Sequence, residues 1–427
     1  MRKKTKTLLV MLLCLMAPAF LFGQPYNIVI KGGHVIDPKN NIDGPMDIAV
    51  RDGKIALVAR NIDAAGALQV VDATGMYVTP GLIDNHVHVF HGPNLNQQYM
   101  NGPNSVPPDG FTFRVGVTTV VDKGCSGWRT FPDFKRQVID VSQTRVLAYL
   151  NIVGEGMRGG PFEQNLGDMN ARQTGEFAKR NSEHIVGIKL AHFSGHDWTP
   201  VLRGVEAGVI ADGIPFAIDF GSASPPLPLD SLFLHYLRPG DIYTHIYGGN
   251  NTIGNSGRQA ITYNSQLRPW IPAARERGII FELGHGGGSF TYEVAIPATQ
   301  AGIFPDIIST DLHITSMNSS MKDILTCMSK MMALGMDFNS VIAATTWNPA
   351  KVIKRTELGH LTVGAEADIA ILTVRTGKFG FFDPRGARMD GDKKLECEMT
   401  IRAGRIVYDL NGIANPIVAP RPQAAAR

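Results

Sequence analysis

The sequence predicts an α/β protein: a (β/α)8 TIM-type barrel joined to a small β-sandwich domain that both termini build together. Three observations predict it. Between residues 77 and 360, short apolar runs recur eight times, each followed by a Gly, Pro or polar loop and a helix-compatible stretch. Before residue 76 and again after 360, the texture is instead short alternating runs separated by tight turns. The length of 427 residues also exceeds what one hydrophobic core usually fills, so one large body and one smaller one are expected.

Residues 1–23 read as a secretory signal peptide. Arg2, Lys3, Lys4 and Lys6 precede the uncharged run from Thr7 to Phe22, and Gly23-Gln24-Pro25 follows. An uncleaved membrane anchor is the alternative, although a spanning helix wants about 20 apolar residues. The expected destination is therefore secreted or periplasmic. With those four cations removed, 37 of the 41 Lys and Arg remain against 38 Asp and Glu. No basic field is left to recruit nucleic acid or an anionic membrane. Charged residues make up 19% of the chain and 46 residues are glycine, which excludes disorder, collagen and coiled coil. Cys14 lies in the signal, so Cys125, Cys327 and Cys397 remain, too few and too scattered for a disulfide framework or a thiolate zinc cage.

Residues 24–76 are expected to give the first part of the small β domain, through Tyr26–Lys31, Gly33–Ile36, Met46–Val50 and Lys54–Ala59, with Asp52-Gly53 as a hairpin turn. Residues 361–415 are expected to complete it through Asp368–Leu372, Thr400–Ala403 and Arg405–Tyr408, leaving 416–427 as a frayed tail. The barrel, residues 77–360, takes its strands from Val78–Val89, Thr118–Val121, Arg145–Ile152, Ile185–Leu190, Pro215–Phe220, Ile242–Ile246, Ile279–Leu283 and Ile307–Thr310. An open nucleotide-binding sheet is disfavoured, because Gly284-His285-Gly286-Gly287-Gly288 lacks the spacing of a dinucleotide loop.

Barrel chemistry sits at the carboxyl ends of the strands, and the polar residues there are distinctive. His86 and His88 lie two apart on a strand, so both side chains face one way and offer two imidazoles to zinc or a similar ion. His245 closes the sixth run. A lone histidine there would read as structural; the pair and the third favour a metal. Lys189 ends an apolar strand, where burial lowers its pKa and lets a neutral amine react with carbon dioxide to give an anionic carbamate ligand. A salt bridge to Asp219 or Asp311 is the alternative. Asp311 is placed to ligate a cation and take a proton from activated water, or else simply to cap the next helix. Backbone amides around His285 and Gly286 are candidates for holding a substrate carboxylate or oxyanion, unless the glycines serve only a tight turn. The irregular loops at Pro93–Gly110, Ser222–Asp230 and Tyr247–Arg268 are expected to shape the pocket.

These residues in this order resemble the amidohydrolase superfamily, more narrowly its amidohydrolase/deacetylase metallohydrolase branch near dihydroorotase- and D-aminoacylase-like enzymes. The resemblance spans nearly all of the mature chain. Its most specific carrier is Pro80-Gly81-Leu82-Ile83-Asp84-Asn85-His86-Val87-His88; Gly187-Ile188-Lys189, Ser309-Thr310-Asp311 and Trp347-Asn348-Pro349-Ala350 support it. It implies a binuclear site, with His86, His88 and Asp311 on one divalent ion, a Lys189 carbamate bridge, and a histidine each from the fifth and sixth strands on the other. The chain departs at the fifth strand, which reads Ile218-Asp219-Phe220-Gly221. Asp219 either replaces the imidazole or leaves the second ion weak or absent; His192 and His196 are further possible donors.

The implied activity is hydrolysis of a C–N (amide) bond in a small N-acyl or cyclic amide by metal-activated hydroxide, with Asp311 as the catalytic proton shuttle. An esterase or lactonase using the same site is the second reading, and a metal-binding pseudoenzyme the third. The expected partner is a small-molecule substrate, with no nucleic acid and no membrane after signal removal; a homo-oligomer stays open.

Overall fold

The structure, a computed structural model, describes residues 26–94, 96, 102–221, 223–251 and 258–416. The expected signal peptide lies outside the described residues, as do residues 417–427 of the expected tail and parts of the three loops expected to shape the pocket.

Two principal sheets organise the chain. The first has eight strands, in the order Arg405–Asp409, Arg388–Arg402, Ile369–Phe382, Tyr77–Pro80, Ile28–Asp37, Ile42–Arg51 and Lys54–Ala59, with Gln69–Asp72 also paired to Ile28–Asp37. Residues from both ends of the described chain thus share one sheet. The two short runs expected at Tyr26–Lys31 and Gly33–Ile36 form a single strand carrying a bulge between Ile30 and Gly33. Gly32 sits there at φ +71°, a conformation that glycine adopts without steric cost. The bulge lets the strand pair first with Gln69–Asp72 and then with Tyr77–Pro80 along the same edge.

This continuity corrects the expected β-sandwich. The strands make one hydrogen-bonded sheet, and it rolls onto itself: Ile48, Val50 and Ile55 share a core with Ile369, Met399 and Ile401, while Lys54 bridges Glu366. The hairpin Ile369–Phe382/Arg388–Arg402 is also much longer than the runs that announced it. Its outer half is rich in exposed charged and small residues, so no apolar alternation marks it. Its tip reaches the large body, where the Tyr292 hydroxyl donates to the Phe381 carbonyl at 3.1 Å and the Asp383 carboxylate accepts from Tyr292 N at 3.0 Å.

The second sheet has seven parallel strands in chain order: Leu82–Val87, Val117–Lys123, Arg145–Asn151, Ile185–Leu190, Phe216–Ile218, Ile242–Tyr243 and Ile280–Phe281. Helices such as Ala171–Arg180 and Thr199–Ile210 alternate with them. The first predicted run, Val78–Val89, is divided at Gly81. Tyr77–Pro80 pairs with Ile369–Leu372 in the rolled sheet, so the boundary between the two bodies falls at Gly81 rather than before residue 77. A Cβ on Gly81 would stand 2.3 Å from Thr118 Oγ1, so only glycine passes there.

The eighth run does not form a regular strand. Ile307 makes a single parallel bridge to Glu282, and Leu312, two residues beyond the run, makes another to Val87, so that the segment touches both edges of the seven-stranded sheet. Asp311, at φ +55°, interrupts its extended course. Ile83, Leu147 and Ile242, each from early in its strand, pack with Ala350 and Ile353 and fill the amino end of the sheet. The carboxyl ends are thereby left to polar side chains.

Candidate active site

Asp84, His86 and His88 lie on one side of their strand because strand side chains alternate. Asp84 ties this strand to the eighth run: its carboxylate accepts from Thr310 Oγ1 at 2.5 Å and Thr310 N at 3.0 Å. Burial pushes the Asp84 carboxyl up to about 7 against those hydrogen bonds. His86 Nδ1 meets Thr244 Oγ1 at 3.0 Å, and His88 Nδ1 meets Cys125 Sγ at 3.1 Å. With those nitrogens engaged, both Nε2 atoms turn to Asp311 Oδ1, at 3.4 Å from His86 and 2.8 Å from His88. Burial raises the Asp311 pKa, but the facing imidazoles outweigh it and hold the carboxyl well below the usual range.

Gly286 makes room for this carboxylate. A Cβ there would lie 2.5 Å from Asp311 Oδ2, and the residue sits at φ +56°. Gly286→Ala is therefore expected to leave the protein folded while lowering kcat by about 10²-fold through displacement of Asp311. Steady-state kinetics beside a thermal melt check this; an unchanged kcat would show that Asp311 tolerates the intrusion.

Lys189, 1% exposed, stands next to the end of its strand. Gly124 opposite leaves space, since a Cβ there would meet Lys189 Cγ at 2.6 Å. Burial lowers the ammonium pKa. The alternative salt bridge to Asp219 or Asp311 is not formed, and Lys189 makes no ion pair with any described carboxylate. His245 donates from Nδ1 to the Gly284 carbonyl at 2.5 Å, which turns its Nε2 towards Asp219 Oδ2 at 3.7 Å. Asp219 Oδ1 pairs with Arg258 Nη1 at 2.9 Å. Although burial opposes it, that guanidinium holds the Asp219 carboxyl far below its ordinary value.

Six expected site residues, His86, His88, Lys189, Asp219, His245 and Asp311, line one cavity of about 150 Å³. His192 joins them, with Nε2 4.0 Å from Asp219 Oδ2 and Nδ1 2.9 Å from Glu163 Oε2. His196 does not line the cavity and instead bonds the Pro225 carbonyl. The expectation that His285 binds substrate is corrected. Its ring stacks on Phe290, centroids 4.6 Å apart, and its Nε2 accepts from Lys330 Nζ at 2.8 Å, outside the cavity lining. Lys330, on the helix Ile324–Ala333, supplies the donor that holds the ring there.

Sequence reasoning missed Met157, Ser289 and His313 on the cavity wall. It also missed a buried ion pair: Lys123 Nζ lies 3.1 Å from Glu282 Oε1, which accepts from Asn85 Nδ2 at 2.7 Å, and Glu282 Oε2 is 3.5 Å from His86 Nδ1. A charged residue closing an apolar strand, the feature that singled out Lys189, marks both Lys123 and Glu282.

A parallel sheet whose strand ends gather histidines, an aspartate and a buried lysine defines a hydrolase-like architecture, and comparison with known proteins agrees. Residues 291–407 match the Amidohydrolase family. A protein of Brucella anthropi named deacetylase is 35% identical over 337 residues, covering 77% of this chain and 79% of that one. A deacetylase of Agrobacterium fabrum is 35% identical over 327 residues, covering 75% and 76%. Among solved structures, an adenine deaminase superposes with TM-score 0.79 at 27% identity over 90% of this chain and 100% of its own. A dihydroorotase gives TM-score 0.77 at 30% identity over 90% and 99%. The chain belongs to the amidohydrolase superfamily.

Proposed function

We propose that the protein is a metal-dependent hydrolase that cleaves the C–N bond of a small N-acyl or cyclic amide. The observation that carries this reading is the convergence of His86 Nε2, His88 Nε2 and Asp311 Oδ1, whose ligand atoms all lie within 4.8 Å of one another. Two imidazoles and a carboxylate suit a divalent ion such as zinc. The fit is one of direction as well as distance, because Thr244 and Cys125 engage the opposite ring nitrogens. When bound, such an ion supplies Lewis acidity that polarises a carbonyl and acidifies water.

The chain's own residues supply the rest. Asp311, kept ionised by its imidazole neighbours, accepts a proton from the attacking water and delivers it to the leaving nitrogen. Lys189, buried and without an ion pair among the described residues, is suited to combine with carbon dioxide, releasing a proton and becoming an anionic oxygen donor. Met157, Ser289 and His313 border the space left for a small substrate. We read residues 307–312, bridged to both edge strands, as the stave that closes the (β/α)8 barrel around this space. The name dihydroorotase among the relatives favours a cyclic amide, and the name deacetylase fits an acyl group on either nitrogen or oxygen. The charge and apolar pattern of residues 1–23 supports export to the periplasm or beyond.

The test is a panel of N-acyl amino acids, cyclic amides and matched esters offered to zinc-loaded mature protein. Hydrolysis of an amide, lost on chelation and restored by zinc, is expected. Turnover of esters alone would move the assignment to an esterase or lactonase, and no turnover by metal-replete protein would overturn it.

A further inference from the structure

We propose that the active site holds a single divalent cation, and that the Asp219–Arg258 ion pair stands where a second would bind. This rests on the reading that His86, His88 and Asp311 hold a cation. Among the described residues, theirs is the one trio of His, Cys or carboxylate donors close enough to share an ion. The other polar groups of the cavity do not form a second such set. Asp219 offers Oδ2 to His245 at 3.7 Å and His192 at 4.0 Å, but its Oδ1 is held by Arg258 Nη1 at 2.9 Å.

That guanidinium is seated, not merely nearby. Arg258 Nη2 donates to the Thr244 carbonyl at 3.0 Å, and the group lies 5.7 Å from the Tyr243 ring centroid. Gly221 gives it passage: a Cβ there would stand 2.6 Å from Arg258 Cγ and 2.8 Å from its Cα, and the residue sits at φ +117°. Asp219 and Gly221 are two apart, so one turn of sequence supplies both the carboxylate and the space for its partner. An arginine cannot shed its proton at any working pH. A dication on Asp219 would therefore meet a permanent positive charge on the same carboxylate, whose own charge is already neutralised. His192, its Nδ1 engaged by Glu163 Oε2 at 2.9 Å, turns its Nε2 to the same Asp219 carboxylate at 4.0 Å, where the Arg258 charge already stands. Lys189 consequently faces one cation and an ion pair instead of bridging two cations.

The experiment is zinc stoichiometry by elemental analysis of the mature protein after equilibration with excess zinc and removal of free metal. One equivalent per chain is expected in the wild type. Two are expected in Arg258→Ala, or in Arg258→Gln, which keeps hydrogen-bonding capacity without charge, should the alanine variant fail to fold. Two equivalents in the wild type would overturn the inference while leaving the hydrolase reading intact. One equivalent in a folded Arg258 variant would overturn the role given to that guanidinium. No bound zinc in the wild type would overturn the cation reading itself, and the inference with it.

Discussion

Asp311→Asn is expected to fold, to melt close to the wild type, and to lose about 10³-fold in kcat on whichever amide the panel identifies. Asparagine matches aspartate in shape but cannot accept a proton at neutral pH, and its neutral oxygen is a weaker cation ligand. Both losses act at one atom, because Asp311 Oδ1 is the point on which His86 Nε2 and His88 Nε2 converge. Measuring zinc content beside kcat separates them. A variant that retains zinc and still loses the rate has lost the proton acceptor; one that loses zinc as well has lost a ligand. Undiminished turnover would remove Asp311 from the mechanism.

Lys123→Met is expected to destabilise the protein by about 3–5 kcal/mol, and Glu282→Leu by a similar amount, because each leaves the other charge buried without its counter-charge. Both side chains are 0% exposed, and Lys123 Nζ is also held by the Asn85 carbonyl at 3.1 Å and the face of Tyr149 at 3.8 Å. Burial lowers the Lys123 pKa to about 8 even with Glu282 opposing that shift, so the partner is needed to keep the ammonium charged. The double variant Lys123→Met/Glu282→Leu is expected to recover much of the loss, since no orphan charge remains. Denaturant titration of all four proteins gives the coupling. Additive single losses would show that the two side chains do not act as a pair. Glu282 also lies behind His86, so its removal is expected to loosen the imidazole that faces Asp311.

Much of the site was legible because strand ends announce themselves. Apolar runs give the parallel strands, and a polar residue closing such a run has few places to go except the mouth of the sheet. That rule found His86, His88, Lys189, Asp219, His245 and Asp311, all of which border one cavity. Applied more strictly it would also have marked Lys123 and Glu282. It failed at His285, where the neighbouring Gly residues suggested a substrate cradle and Lys330, from a helix 45 positions away in sequence, instead claimed the ring. It was silent on Arg258, which lies in a loop with no periodicity to place it.

Sequence by itself determined the alternation of strands and helices, the superfamily, and the identity of the polar groups at the strand ends, because local periodicity and residue chemistry are properties of short segments. Only tertiary structure decided which charge meets which: Asp219 with Arg258, Lys123 with Glu282, His285 with Lys330. It likewise turned the expected sandwich into one rolled sheet. The physical reason is the same in each case. Buried charges and strand edges must be satisfied by whatever partner the packing brings within about 3 Å, and that partner is chosen by distance in space, which separation along the chain does not encode.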